Sequence, residues 1–225
     1  MPLPFSSPVT FESIERDLVD ITDQTLTIDG VASVLEFFKQ VEPSVMGEQI
    51  TVLRLIENKI ILSEKQEFIS AICRMEHLSD EMRAEFFRLL PGITEVTEEM
   101  IPSDIKNTMT SLDIPDGVVV IEEWVFADFA RLYQINLPEG LQRIDDYAFA
   151  DCCSLVGISI PDGLQVISHN VFENCTSLED LYLPNGLSEI GCFAFKGCSS
   201  LQRIRLPNDL TKLTHFVFEG CSSLE

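Results

Sequence analysis

The sequence is poor in basic side chains and has no long apolar run. Its 225 residues contain 15 Lys and Arg against 37 Asp and Glu, which gives a formal net charge of -22. Nucleic acids and anionic membranes are bound by clustered basic side chains, so this charge argues against both partners. It favours a basic or neutral protein or peptide. No run approaches the roughly 18 apolar residues of a membrane-spanning helix.

An export signal is also lacking. The first residues, MPLPFSSPVTFES, have no basic start and no apolar core. Seven cysteines are an odd number, which is more typical of reduced thiols than of a disulfide framework. These features predict a cytoplasmic protein. A cell-surface location is the alternative if the sequence is a piece of a longer protein.

The second half of the chain contains a 23-residue repeat, LxxIxLPxGLxxIxxxAFxxCxS. A fixed period of this kind indicates a solenoid, because one unit cannot bury its apolar face alone and stacked units share a continuous core. Proline and phenylalanine keep the period most strictly, at Pro115, Pro138, Pro161, Pro184 and Pro207 and at Phe126, Phe149, Phe172, Phe195 and Phe218.

Each unit predicts a short strand, a turn and a return path. In a strand, alternating residues such as Ile158 and Ile160 point to one face. Proline ends the strand, and the Pro-x-Gly step turns the chain because proline fixes φ while glycine accepts a positive φ. The second apolar set, for example Leu141, Ile144 and Phe149, fits a short strand or helical turn.

The repeats resemble a known family. The segments LPEGLQRIDDYAFADCCSL and LPNGLSEIGCFAFKGCSSL are similar to the BspA-type leucine-rich repeats of bacterial surface proteins and some parasitic protists, and the resemblance covers Met109 to Glu225. It implies an α/β solenoid, a right-handed leucine-rich repeat superhelix with a parallel sheet, that binds proteins or host surfaces. It implies no catalytic residues.

Two domains are predicted: an α-helical N-terminal domain at 1–108 and a solenoid of about five rungs at 109–225. Val31, Val34 and Phe38 lie on one helical stripe, and Ser63 with Gln66 matches a capping box. The helical domain either shields the first rung or recruits a partner of its own.

Cysteine recurs at one repeat position, at Cys152, Cys175, Cys198 and Cys221. Parallel neighbouring strands would place these thiols in a row about 4.8 Å apart, which suits neither a tetrahedral metal site nor a disulfide. We interpret the row as small buried side chains.

Candidate catalytic and metal-binding groups are few. Asp146, His169, Cys192 and His215 share one repeat position, but a straight column spans too far for one metal ion. No recognised motif combines serine, histidine and acid, and no glycine-rich phosphate loop follows a strand. The sequence therefore predicts no enzyme activity, no cofactor and no metal.

The remaining candidate is the outer, concave face of the sheet. Tyrosine and arginine are enriched at binding hot spots, which favours a non-enzymatic protein-binding scaffold. Alternatively, Asp180 only pairs with Arg203 across the sheet, or the chain is a fragment of a cell-surface adhesin that binds a host or matrix protein. The predicted ligand-binding residues are Gln134, Asn136, Asp180, Tyr182, Arg203 and Arg205.

The last rung predicts a second contact. Its apolar residues, including Ile204, Leu206, Leu213 and Phe218, have no following unit to cover them. Exposed strand edges and apolar patches promote association, so we expect self-association through this rung.

Overall fold

A computed structural model describes residues 93–101 and 106–225 of the chain. Within this part, ten short strands form two parallel sheets that wind through about five turns. The long sheet contains β1 (Glu95–Val96), β3 (Val120–Ile121), β5 (Arg143–Ile144), β7 (Val166–Ile167), β9 (Glu189–Ile190) and β10 (Lys212–Leu213). The short sheet contains β2 (Ser111–Asp113), β4 (Gln134–Asn136), β6 (Gly157–Ser159) and β8 (Asp180–Tyr182).

The strands pair in the register of the repeat. Gln134 pairs with Gly157, and Gly157 pairs with Asp180. In the long sheet, Ile144 pairs with Ile167. Because the pairing offset equals the period, equivalent side chains of successive rungs lie directly above one another. The predicted parallel-sheet solenoid is confirmed.

Stacked aromatic rings run along the core. The phenylalanine rings of successive rungs lie nearly parallel, with centroid distances of 5.3 to 5.7 Å. Four of them are fully buried. Offset-stacked aromatic pairs add attraction beyond the burial of their area, so this column ties each rung to the next. Its members are Phe126, Phe149, Phe172, Phe195 and Phe218.

The cysteine row is part of the same core, as the sequence indicates. Cys152, Cys175 and Cys198 are buried and unpaired. Each thiol donates a hydrogen bond to the carbonyl oxygen of a core phenylalanine in the previous rung, at 3.1 to 3.2 Å. Burial raises the pKa of the Cys175 and Cys198 thiols, because an apolar surrounding disfavours the thiolate.

The reason predicted for the Pro-x-Gly turns is wrong in three of four rungs. Of the four glycines in these turns, Gly117 has a positive φ, of 101°. Gly140, Gly163 and Gly186 do not. At Gly163 the relevant constraint is space, since an added Cβ would lie 3.0 Å from the carbonyl oxygen of Leu141. Backbone hydrogen bonds to the proline carbonyl oxygen close these turns, for example from the Leu141 N–H to Pro138 at 3.1 Å.

Left-handed backbone occurs instead at two other positions of every rung. Values of φ between 58° and 77° recur there, including at bulky aromatic residues. Such values are rare for side chains of this size and persist only where surrounding structure enforces them. The positions are Trp124, Tyr147, Asn170, Phe193 and Phe216, and Asp128, Asp151, Asn174, Gly197 and Gly220.

No α-helix occurs in the described part, and the helices predicted for the N-terminal domain stay a prediction. Each return path there consists of a two-residue strand and turns, and 3-10 turns occur at Glu98–Met100 and at residues 106–107. The predicted helical stripe and capping box lie outside the described residues. Within the range 1–108, strand β1 (residues 95–96) pairs with β3 of the long sheet. The boundary at residue 108 stays a prediction.

Candidate functional site

The outer face of the short sheet carries two rows of side chains. Strands β4 and β6 bury their central residue and expose residues on either side, because side chains alternate across a strand. The pairing register aligns one row as Ser111, Gln134, Gly157 and Asp180. In the other row Asp113 lies beside Asn136, and Ser159 beside Tyr182.

A depression of about 630 Å³ lies on this face, above β4, β6 and β8. Its floor is low because β6 carries Gly157 and Ser159, the smallest side chains of their rows. The flanking strands stand roughly 10 Å apart, which is twice the spacing of neighbouring strands. The gap is therefore wide enough for one inserted side chain.

The wall on the β4 side is ordered by hydrogen bonds between side chains. The Gln134 amide donates to Asn136 Oδ1 at 3.5 Å, and Asn136 Nδ2 donates to Asp113 Oδ1 at 2.5 Å. The first bond lies within one rung, and the second joins two successive rungs. The opposite wall consists of Asp180 and Tyr182, and the tyrosine is 59% exposed.

The two predicted arginines lie beyond the last strand of the short sheet. Arg203 and Arg205 are exposed, and no strand is assigned to them. Arg205 shares a smaller depression, of about 190 Å³, with Tyr182. Arg203 lines neither depression. The structure thus groups four of the six predicted residues around one depression and brings Arg205 next to it.

Asp180 does not pair with Arg203. The ion pairs formed between residues of the described part are Arg143 with Asp145, Lys196 with Glu173 and Lys212 with Glu189. The alternative explanation for Asp180, a cross-strand pair, is therefore wrong. Asp180 lies on the wall of the depression.

The lining residues that were missed from the sequence include Tyr133, Glu139 and Val156. They flank the strands rather than lie in them, and strand alternation identifies only residues within strands. Tyr133 is 57% exposed. An aromatic residue directly before a strand, where the next two rungs have Val156 and Glu179, was the available signal.

The column of Asp146, His169 and Cys192 links rungs to one another. The backbone N–H of His169 donates to Asp146 Oδ1, and that of Cys192 donates to His169 Nδ1, both at 2.8 Å. A hydrogen bond from the Thr214 side chain, helped by the His215 backbone, lowers the pKa of the Cys192 thiol. In the described residues no group of three or more His, Cys, Asp or Glu is arranged to hold a metal ion.

These environments predict an order of thiol labelling. We expect iodoacetamide to modify Cys192 first and at the lowest pH, since the thiolate is the nucleophile and a lowered pKa increases its fraction. Cys221 should follow at higher pH, because burial raises its pKa. Cys152, Cys175 and Cys198 should react only on unfolding. Mass spectrometry of digested samples measures this order.

Rapid modification of the three buried thiols in the folded protein would contradict the core packing. The variant Thr214→Val serves as the control for Cys192. It removes the Thr214 hydroxyl and should raise the pH at which Cys192 is labelled. The pH at which Cys221 is labelled should not change.

Comparison with known proteins agrees with this geometry. The family model for the BspA type leucine rich repeat region matches residues 105–225 in six copies. A crystal structure of a leucine-rich repeat protein from T. pallidum superposes with a TM-score of 0.51 and 33% identity, covering 59% of this chain and 72% of that one. A search of curated proteins gives no significant match.

Two further solved structures are more distant. A leucine-rich repeat protein from Bacteroides ovatus has a TM-score of 0.47 and 26% identity, over 59% of this chain and 40% of that one. A leucine-rich cell surface protein from Faecalibacterium prausnitzii has a TM-score of 0.44 and 26% identity, over 52% and 38% of the two chains. In the part of this chain that the structure describes, no helix is long and apolar enough to cross a bilayer.

Proposed function

The chain belongs to the BspA-type leucine-rich repeat family, and we propose that it is a non-enzymatic scaffold that binds a segment of a partner protein on the outer face of its short sheet. The observation that carries this proposal is the depression above β4, β6 and β8. It combines an exposed tyrosine, an ordered amide wall and the Asp180 carboxylate, which forms no ion pair with another described residue. Exposed aromatic residues surrounded by polar groups are typical of surfaces that bind other proteins.

Charge supports a basic or neutral partner. The protein carries a formal charge of -22, which repels nucleic acid and anionic membranes and accelerates encounters with basic proteins. Arg203 and Arg205 are exposed at the end of this face, where they suit acidic groups at one end of a ligand. The cytoplasmic location, the alternative surface location and the adhesin role stay predictions.

The function is tested with a partner captured by the intact chain at moderate salt and then purified. We expect Tyr182→Ala, and the double variant Arg203→Ala with Arg205→Ala, each to weaken binding by about 2 kcal/mol, roughly thirtyfold, as for hot-spot residues. Calorimetric titration measures this loss. Folding should change little, because exposed side chains contribute about 0–1 kcal/mol.

The matched control is Arg131→Ala, which removes an exposed basic side chain elsewhere. It should leave the affinity unchanged. If a partner binds all variants of the sheet face with the affinity of the original chain, this face is not the binding site.

The last rung supports a second proposed contact, self-association. Leu206, Leu213 and Phe216 are between 41% and 61% exposed, and among the described strands β10 pairs only with β9. An open strand edge beside apolar side chains favours association. Sedimentation should show concentration-dependent dimers, and Leu213→Glu should shift them to monomer. Monomers at every concentration would contradict this proposal.

A further inference from the structure

The polar groups that line the depression on the short sheet are mainly hydrogen-bond acceptors. Apart from tyrosine, its ionisable lining residues are Glu139 and Asp180, and neither lysine nor arginine lines it. The amide groups of Gln134 and Asn136 each already donate one hydrogen bond within their wall. The depression therefore offers mainly acceptors and negative charge, which suits a cationic ligand group.

The geometry narrows the type of cation. The gap exists because Gly157 interrupts a row in which the neighbouring rungs carry Gln134 and Asp180. One narrow side chain fits a gap of this width. Asp180 belongs to none of the ion pairs within the described part, and Tyr182 is exposed beside it. A carboxylate next to an aromatic ring favours a guanidinium, which bonds the carboxylate with its planar fork and stacks on the ring.

We propose that the partner segment inserts an arginine side chain into the gap above Gly157, between the Gln134 and Asp180 walls. The guanidinium pairs with Asp180 and lies against Tyr182. This inference rests on the proposed function, because it specifies the residue that the same face recognises. The gap is required for this contact, since a filled row would leave no space for the side chain.

The test uses the full chain and a displayed library of random 12-residue linear peptides. Selected peptides are synthesised, and their affinities are measured by calorimetry. We expect them to share an arginine, and replacement of that arginine by neutral citrulline to weaken binding by about tenfold or more. Lysine at the same position should be weaker than arginine, because it lacks the planar fork.

Two variants of the protein probe the gap itself. Gly157→Gln fills it with the residue type that Gln134 provides one rung earlier, and its Cβ would lie 3.3 Å from the Asp180 carbonyl oxygen. Asp180→Asn removes the charge and keeps the shape. Each variant should bind the arginine peptides about tenfold more weakly than the original chain does. Asp162→Asn removes one charge from an exposed turn outside the depression and should have little effect.

Three results would overturn the inference. The selection yields no peptide, the selected peptides lack arginine, or the citrulline or lysine form binds as tightly as the arginine form. If Gly157→Gln alters the thermal unfolding, Asp180→Asn and the citrulline peptide decide the outcome. Peptides weakened by Tyr182→Ala but not by Gly157→Gln or Asp180→Asn would refute the arginine site and leave the sheet-face function standing. Peptides insensitive to Tyr182→Ala as well would count against both.

Discussion

Replacing Phe172 with alanine is expected to lower the free energy of unfolding by about 3–5 kcal/mol, the usual cost of removing a buried phenylalanine. Phe172 is fully buried, and its ring stacks on Phe149 and Phe195, each at a centroid distance of 5.5 Å. The substitution opens a cavity in the middle of the column, where neighbours on both sides hold the rungs in place and limit collapse. It also removes two ring contacts at once.

Urea denaturation measures this effect. Trp124, the single tryptophan of the chain, stacks on Tyr147 at 4.0 Å and reports on unfolding by its fluorescence. The control is Phe216→Ala, because that ring is 61% exposed and its loss should cost about 1 kcal/mol or less. Equal losses for the two variants would show that the buried column does not dominate the stability of the solenoid.

Replacing Gly191 with alanine should cost about 3 kcal/mol, at the upper end of the range for overpacking. Gly191 is buried, and an added Cβ would lie 2.6 Å from the carbonyl carbon and oxygen of Ser168. These are backbone atoms of the preceding rung, so no side-chain rotation relieves the collision. The Gly191 N–H also donates to Ile167 at 2.8 Å, and the rungs must separate to accommodate the methyl group.

Gly140→Ala, in the turn that follows Pro138, is the control. No heavy atom lies within 4 Å of its added Cβ, and its φ is not positive. Alanine there should be neutral or stabilise the fold by up to about 1 kcal/mol, because it restricts the unfolded chain. Urea denaturation compares the two variants. A similar cost at both positions would mean that the loss of glycine itself, rather than the collision, destabilises the protein.

Much of the site could be predicted because it depends on alternation within strands. Gln134, Asn136, Asp180 and Tyr182 lie where a two-residue period places them. Tyr133 was missed because it precedes its strand, where the period gives no direction. The depression was missed as well. It exists because Gly157 has no side chain, whereas Gln134 and Asp180 on the two adjacent strands do.

The sequence by itself determined the 23-residue period, the pairing register and the buried columns. A fixed period suffices for these, because equal spacing places equivalent side chains above one another in any stacked solenoid. Phe172 and Cys175 are buried for this reason. The same argument identified the family resemblance, which depends on the repeated residues alone.

Only the tertiary structure decided the backbone conformation and the use of individual polar groups. Positive φ at Tyr147 is imposed by contacts between rungs, against the residue's own preference. His169 accepts the Cys192 N–H of the next rung, and Asp180 stays unpaired with Arg203 because no strand continues the sheet at that residue. Such outcomes depend on distances between separate rungs, which the period of a sequence does not contain.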